Sequence, residues 1–375
     1  MKISFTIAAI SMFLLSNLYS QQASKDFDQV GSFIEQSIEN GDPSYFNKVF
    51  DKQLLLSKIL VKSKNTQIKH FNIGFQNGFY RSFDMGNMIL SQVGPNSSYE
   101  YIRSYKRESV PVLLFRSFSS EGINYHEFSM EEKNGEWVIT DMYIYLTGEY
   151  VSERLKSTYV TNLYQILPEE ADYYYEREKF KTYKLLEKAK VLADKGNHKK
   201  AFKTWEKIST NNRDDKLVQL AGIQIASFYN LELYNQLSLN YETKFPKDPG
   251  YYMVSLNGLF NQNAYEKSLQ CIDSLSEVIG DPMLDYLRGG VYSEMGNINE
   301  ATIAYNRLVE SLPEFEPAYI ELFELHVLNN DFQEATDVLD KMTLVFNYYK
   351  DDFGDFLENY PNYIKSDTYS NWVEK

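Results

Sequence analysis

The sequence predicts an α+β N-terminal domain, made of helices plus a four-stranded antiparallel meander, followed by an all-α helical-hairpin solenoid. Three observations predict it. Apolar residues recur at helical spacing from Phe27 to Phe83, the chain then switches to period-two segments from Tyr99 to Leu146, and beyond about Thr182 one helix–turn–helix unit returns every 33 to 34 residues. At 375 residues, with 43% hydrophobic and 24% charged, the chain is long enough for two or more packed domains.

Residues 1–20 read as a signal peptide: Lys2 precedes an apolar run from Ile3 to Leu15, a polar stretch follows, and cleavage is expected near Ser20. The run is too short for a permanent membrane span. The mature chain is therefore expected to be exported, periplasmic or secreted, with no integral membrane segment after cleavage. Cys271 is the single cysteine, so no disulfide can form within the chain, and its place beside Ile272 and Leu275 on a helical core stripe reads as a buried thiol.

Residues 21–150 make the first domain. Phe27, Val30, Phe33, Ile34 and Ile38 mark a helix that Gly41-Asp42-Pro43 ends, and a second helix is expected from Pro43 to Lys62. A third carries the stripe Ile68, Phe71, Phe75, Phe79 and Phe83, with Gly74 and Gly78 beside it. Glycine weakens a helix, so these two are expected to let it press closely onto something flat. The flat partner is the meander YEYIRSYK, VPVLLFRSF, INYHEFSMEE and EWVITDMYIYL, whose short turns, Asn134-Gly135 among them, force antiparallel neighbours. At the level of fold, this order of elements resembles the cystatin-like or nuclear-transport-factor-type cone. That resemblance implies an alternative function, a small-molecule binder or a hydrolase- or isomerase-type pocket enzyme, with Arg103, Arg116, His126 and Asp141 as its candidate polar groups. The same residues also fit cross-strand pairing and packing without catalysis.

Residues 151–181 read as a helical linker broken at Pro168, 182–345 as a solenoid of about five repeats, and 346–375 as C-terminal capping helices. Turn positions recur at Gly196, Asn230, Asn263, Gly296 and Asn330, phase-locked to a small-residue series at Ala201, Asn235, Ser268, Ala301 and Ala335. Trp205 stands where Tyr305 stands in the cleanest copy, 282–315, which also holds Gly289, Tyr292, Gly296, Ala301 and Pro313. Gly289 and Ala301 let two helices approach, Tyr292 and Tyr305 fill the space beside them, and Pro313 stops the second helix. This pattern resembles the tetratricopeptide repeat. The resemblance implies a groove that holds a protein or peptide against first-helix side chains, for which Lys184, Lys188, Asp285, Arg288 and Glu321 are the candidates.

Charge is spread unevenly. Residues 181–265 carry 13 Lys and Arg against 8 Asp and Glu, a net of +5, whereas 266–375 carry 7 against 22, a net of −15. The acidic repeats fit a solvated convex face or, more sharply, a groove that selects a basic or cation-bearing partner, and either way they argue against nucleic acid, whose phosphates they would repel. Four histidines at no ligand spacing and one cysteine give no metal site, and no cofactor-binding or catalytic motif is present in the sequence. The expected function is a non-catalytic exported interaction or scaffold protein. A structural component of an envelope or secretion assembly is a further alternative.

Overall fold

A computed structural model of the protein describes residues 27–94, 97–107, 109–120 and 122–374, and the expected signal peptide lies outside them. The chain divides into two compact units. The first runs to Ala226 and takes in Leu233–Lys244, while the second comprises Ser227–Glu232 and everything from Phe245 onward.

The first unit opens with α1 (Phe27–Glu39), α2 (Ser44–Val49), α3 (Lys52–Ile59), α4 (Thr66–Ser82) and α5 (Met85–Leu90). The single helix expected over 43–62 is thus two. It breaks where Phe50 bridges to Ile139 and the Asp51 amide donates to the Ile139 carbonyl at 2.8 Å, and the Asp51 carboxylate then caps α3 by accepting from the Gln53 and Leu54 amides. The sheet follows in simple order: β1 (Ser98–Arg107), β2 (Val110–Ser119), β3 (Gly122–Lys133), β4 (Glu136–Ile144) and β5 (Glu149–Tyr150), each antiparallel to the next. The four expected strands gain a fifth because the chain turns back after Ile144, pairing Tyr150 with Tyr143. Asn134 and Gly135 both take left-handed φ (56° and 81°), the geometry that closes a two-residue hairpin with the twist of its strands.

One face of the sheet supplies Leu113, Phe115, Phe128, Met130 and Ile139 to a core with Val30, Ile34, Ile38, Phe46 and Leu55 from the helices. Helix α6 (Val151–Ile166) adds Tyr159, Val160 and Leu163 to that same core, and α7 (Pro168–Tyr174) starts on Pro168, whose fixed φ suits a first helical turn. The glycine that brings a helix close to the sheet is not one of the expected pair. A Cβ at Gly31 on α1 would run into the Tyr101 ring, whereas a Cβ at Gly74 or Gly78 on α4 would meet nothing within 4 Å. Phe71 and Phe75 pack instead against Tyr159, so α4 meets α6 through its aromatic side and turns its glycines outward.

The helical hairpins begin with α8 (Arg177–Asp194) and α9 (His198–Trp205). After the short α10 (Thr210–Arg213) come α11 (Lys216–Ser227) and α12 (Leu231–Lys244). The second unit stacks α13 (Pro249–Asn261) with α14 (Tyr265–Ile279), α15 (Leu284–Glu294) with α16 (Ile298–Ser311), and α17 (Glu316–Leu328) with α18 (Phe332–Phe346). Four corners are built alike. Gly196, Asn263, Gly296 and Asn330 hold φ of 72°, 56°, 71° and 61°, and the next residue's amide donates back to the carbonyl five residues before it, as Asn297 does to Tyr292 at 2.9 Å and Asp331 to His326 at 2.8 Å. This motif satisfies carbonyls that a helix end leaves open and needs a residue that tolerates the left-handed conformation, hence Gly or Asn. Tetratricopeptide-like hairpins of near-constant length follow.

In the fourth hairpin Gly289 faces the buried Tyr305 ring, with a hypothetical Cβ 2.5 Å from Cε1, and Ala301 is fully buried. Tyr292 is half-buried, and the atoms nearest a Cβ at Gly289 all belong to Tyr305. In the second hairpin Asn235 is exposed, and the buried residues are Tyr234, Ser238 and Tyr241, so the buried stripe starts one residue earlier than the turn spacing suggests. The stack ends on a 3₁₀ turn (Lys350–Phe353) and three short helices, α19 (Gly354–Leu357), α20 (Pro361–Ile364) and α21 (Asp367–Glu374). They cover Phe323 with Phe356, Tyr360 and Tyr363, and Trp372 donates to Asp340 at 2.6 Å. Among the described residues no helix is long and apolar enough to cross a membrane.

Candidate functional site

The polar residues expected to share a pocket in the sheet do not converge. Arg103 is exposed, its guanidinium 4.9 Å from the centre of the Tyr105 ring. Arg116 is buried and ion-paired with Glu100, its direct cross-strand neighbour. Asp141 accepts from the Ser152 amide (3.1 Å) at the start of α6, from the Met142 amide (3.0 Å) and from Lys58 (3.1 Å), which makes it a helix anchor.

His126 is 3% exposed between Tyr99 and Asn124. The Asn124 oxygen already accepts from the Tyr125 and Leu146 amides, which turns its NH2 toward the imidazole Nε2 at 3.0 Å. Nε2 therefore accepts, and Nδ1–H donates to the Tyr99 hydroxyl at 3.1 Å. Burial holds the imidazole neutral, lowering its pKa to about 4. Because this base loses affinity for protons on folding, its contribution to stability is intact above the unfolded value near 6.5 and is lost as pH falls toward 4. We expect acidification across that window to cost about 3 kcal/mol through this one group. Unfolding curves of His126→Gln should flatten there relative to wild type; an unchanged pH slope would assign the acid sensitivity to other groups.

The second face of the sheet carries a polar cluster that sequence reasoning missed. Glu127 is 0% exposed and accepts from Arg107 at 2.6 Å, from the Tyr145 hydroxyl at 3.0 Å and from the Tyr105 hydroxyl. Arg107 also donates to both tyrosine oxygens, at 3.1 and 3.2 Å. Lys216 of α11 lies 5.1 Å above the Tyr143 ring, and Lys190 of α8 pairs with the buried Glu149 at 3.1 Å. Cations from the hairpin helices thus engage the sheet's own aromatic and acidic groups. On α8 the candidates Lys184 and Lys188 are exposed.

In the second unit a surface hollow of about 640 Å³ lies among α14, α15 and α16. Two of the expected contact residues line it. Asp285 accepts from Arg307 through both oxygens, at 3.0 and 3.1 Å, and from Arg288, which also reaches Asp273 at 2.7 Å. Asp281, Glu300 and Glu310 complete the charged lining, so its carboxylates outnumber its guanidiniums by three. Tyr292 forms part of the wall. The arginines are occupied by internal carboxylates, while Glu300 and Glu310 are exposed.

Glu321, the last candidate, is not part of this lining. The Tyr286 hydroxyl donates to it at 3.5 Å and Tyr305 also bonds it, while the Tyr360 hydroxyl donates to Glu324 one turn along. Burial, then the neighbouring Glu324 charge, raises the Glu321 carboxyl above its ordinary range. Its place is in the stacking of the fourth and fifth hairpins.

No protein-family model and no curated protein matches the chain. Solved structures similar to it include MamA MSR-1 C2, at 13% identity over 46% of this chain and 97% of that one, with a TM-score of 0.35. A second MamA crystal structure gives 15% identity, 44% and 91% coverage and a TM-score of 0.36. TTC0263, a thermophilic TPR protein in Thermus thermophilus, gives 16% identity, 48% and 97% coverage and a TM-score of 0.30.

Proposed function

We propose that the protein is an exported scaffold that acts by binding, and that its acidic hairpins hold a basic polypeptide segment. The hollow beside Asp285 carries this reading: it is open, it has an excess of carboxylates, and it sits in the part of the chain whose net charge is −15. A Lys or Arg side chain entering it would find exposed Glu300 and Glu310, with the internal arginines already neutralised by Asp273 and Asp285. Attraction of this kind sets partner choice and association rate, and salt weakens it. The polar groups of the sheet support binding over catalysis, since Arg116, His126, Asp141 and Glu127 are each engaged by different internal partners.

Oligo-lysine is a suitable probe. Neutralising Glu300 and Glu310 to glutamine should weaken its binding roughly 3- to 10-fold at low salt and flatten the salt dependence. Removing the two expected charges at Asp285 and Glu321 should act unequally, because Asp285 lines the hollow and Glu321 bonds to tyrosines. Unchanged affinity in the Glu300/Glu310 variant would end the acidic-hollow reading. Export itself is read out by the mass of the mature chain, which should begin at Gln21.

A further inference from the structure

We infer that the outward face of α4 is a docking surface, and that its occupant is the acidic hairpin region of a second copy of this chain. The inference rests on the proposed acidic hollow and names one partner for it.

The outward face of α4 costs stability, and among the described residues nothing packs on its glycines to offset that cost. Ile73 and Tyr80 are 53% and 48% exposed, and Gly74 and Gly78 look onto open space. Glycine is a poor helix former, and Gly31, Gly222, Gly258 and Gly289 each face a close neighbour, whereas Gly74 and Gly78, like Gly290 and the helix-starting Gly354, leave room for a Cβ. On α4 no described residue of the same copy supplies the corresponding neighbour. Two glycines four residues apart, flanked by an aliphatic and an aromatic side chain, leave room for a second helix to approach the backbone.

Charge identifies the occupant. From Lys52 to Phe83 the chain has six Lys and Arg and no Asp or Glu, in a protein whose net charge is −14. Lys62, Lys64, Lys69 and Arg81 of this stretch are exposed. Lys69 and Arg81 lie toward opposite ends of α4, about 18 Å apart along its axis at 1.5 Å per residue. The surface that complements this face is carried by the same polypeptide: 266–375, with its net of −15 and a hollow large enough to take a long basic side chain. Such a contact joins two different patches, so it is heterologous and can continue from copy to copy.

Sedimentation velocity of the full chain over a dilution series, at low salt and at about 0.5 M salt where surface charges are screened, tests this. The expected result is reversible association at low salt that salt dissolves. Lys69→Glu with Arg81→Glu should weaken it at least tenfold, as should Gly74→Leu, which fills the approach without touching charge. Gly74→Ala serves as the folding control, and Glu300→Lys with Glu310→Lys should restore association when mixed with the α4 charge-reversal variant. A wild-type chain that stays monomeric at every concentration overturns the inference, as does association indifferent to the α4 variants. If oligo-lysine still binds in either case, the acidic-hollow reading survives alone; if it does not, both fall.

Discussion

Replacing Glu127 with alanine lowers the unfolding free energy by about 3–5 kcal/mol, the cost of leaving one half of a buried ion pair behind. The carboxylate is fully buried and is the common acceptor for Arg107, Tyr105 and Tyr145. Its removal takes the shared acceptor from two tyrosine hydroxyls and from the Arg107 guanidinium, whose side chain is 26% exposed, and a buried group left without its hydrogen bond retains its desolvation penalty. Glu127→Gln keeps the shape and removes the charge, so its loss relative to wild type isolates the ionic part, and the further loss in the alanine variant is the neutral part. Substituting Glu127 and Arg107 together by leucine should recover much of the loss, because two apolar groups ask nothing of their surroundings. Urea unfolding of the three variants decides it. A loss under about 1 kcal/mol for Glu127→Ala would place the cluster with ordinary surface pairs.

The same cluster shows why some of this protein was legible in its sequence and some was not. Strand boundaries could be read because turn chemistry is local: Asn134-Gly135 closes a hairpin whatever the sheet packs against. The roles of the residues between the turns could not, because β2 and β3 are buried on both faces, with runs such as Val112–Arg116 and Tyr125–Met130 buried throughout. Period-two alternation says which residues share a face, but not that the polar face is also covered. Pairing register was the available signal: Tyr105, Glu127 and Tyr143 share strand parity through Val112, Leu114 and Ser129, and the acid among tyrosines stands out once those neighbours are known.

The hairpin array was legible for a different reason. Corner residues with positive φ are constrained by the backbone alone, so Gly196, Asn263, Gly296 and Asn330 stand out in the bare sequence. Which side of a helix is covered depends on its neighbours. Hence corner spacing puts Asn235 in phase with Ala301 although Tyr234 takes the buried position, and Glu321, a first-helix candidate for the groove, bonds to Tyr286. Gly74 and Gly78 misled for the same reason, since a glycine in a helix signals close approach without saying by what.

A pair of identical substitutions separates those two kinds of glycine. Gly74→Ala should stabilise the protein by about 0.5–1 kcal/mol, the ordinary gain in helix propensity, because the new methyl meets nothing. Gly258→Ala should destabilise it by about 1–2 kcal/mol despite the same propensity gain, and Gly258→Val by about 3 kcal/mol or more. A Cβ at Gly258 would stand 2.6 Å from the backbone carbonyl carbon of Ser227. Backbone in a packed helix cannot rotate aside as a side chain can, so the Ser227 backbone and α13 must separate there. Separation also stretches the bond that Gln262 donates to the Ser227 carbonyl, one turn beyond Gly258 on the same helix. Thermal unfolding of the two alanine variants should therefore shift in opposite directions. Equal stabilisation at both sites would mean that the Ser227 backbone is not held against Gly258, and that the packing there tolerates a wider spacing than its glycine implies.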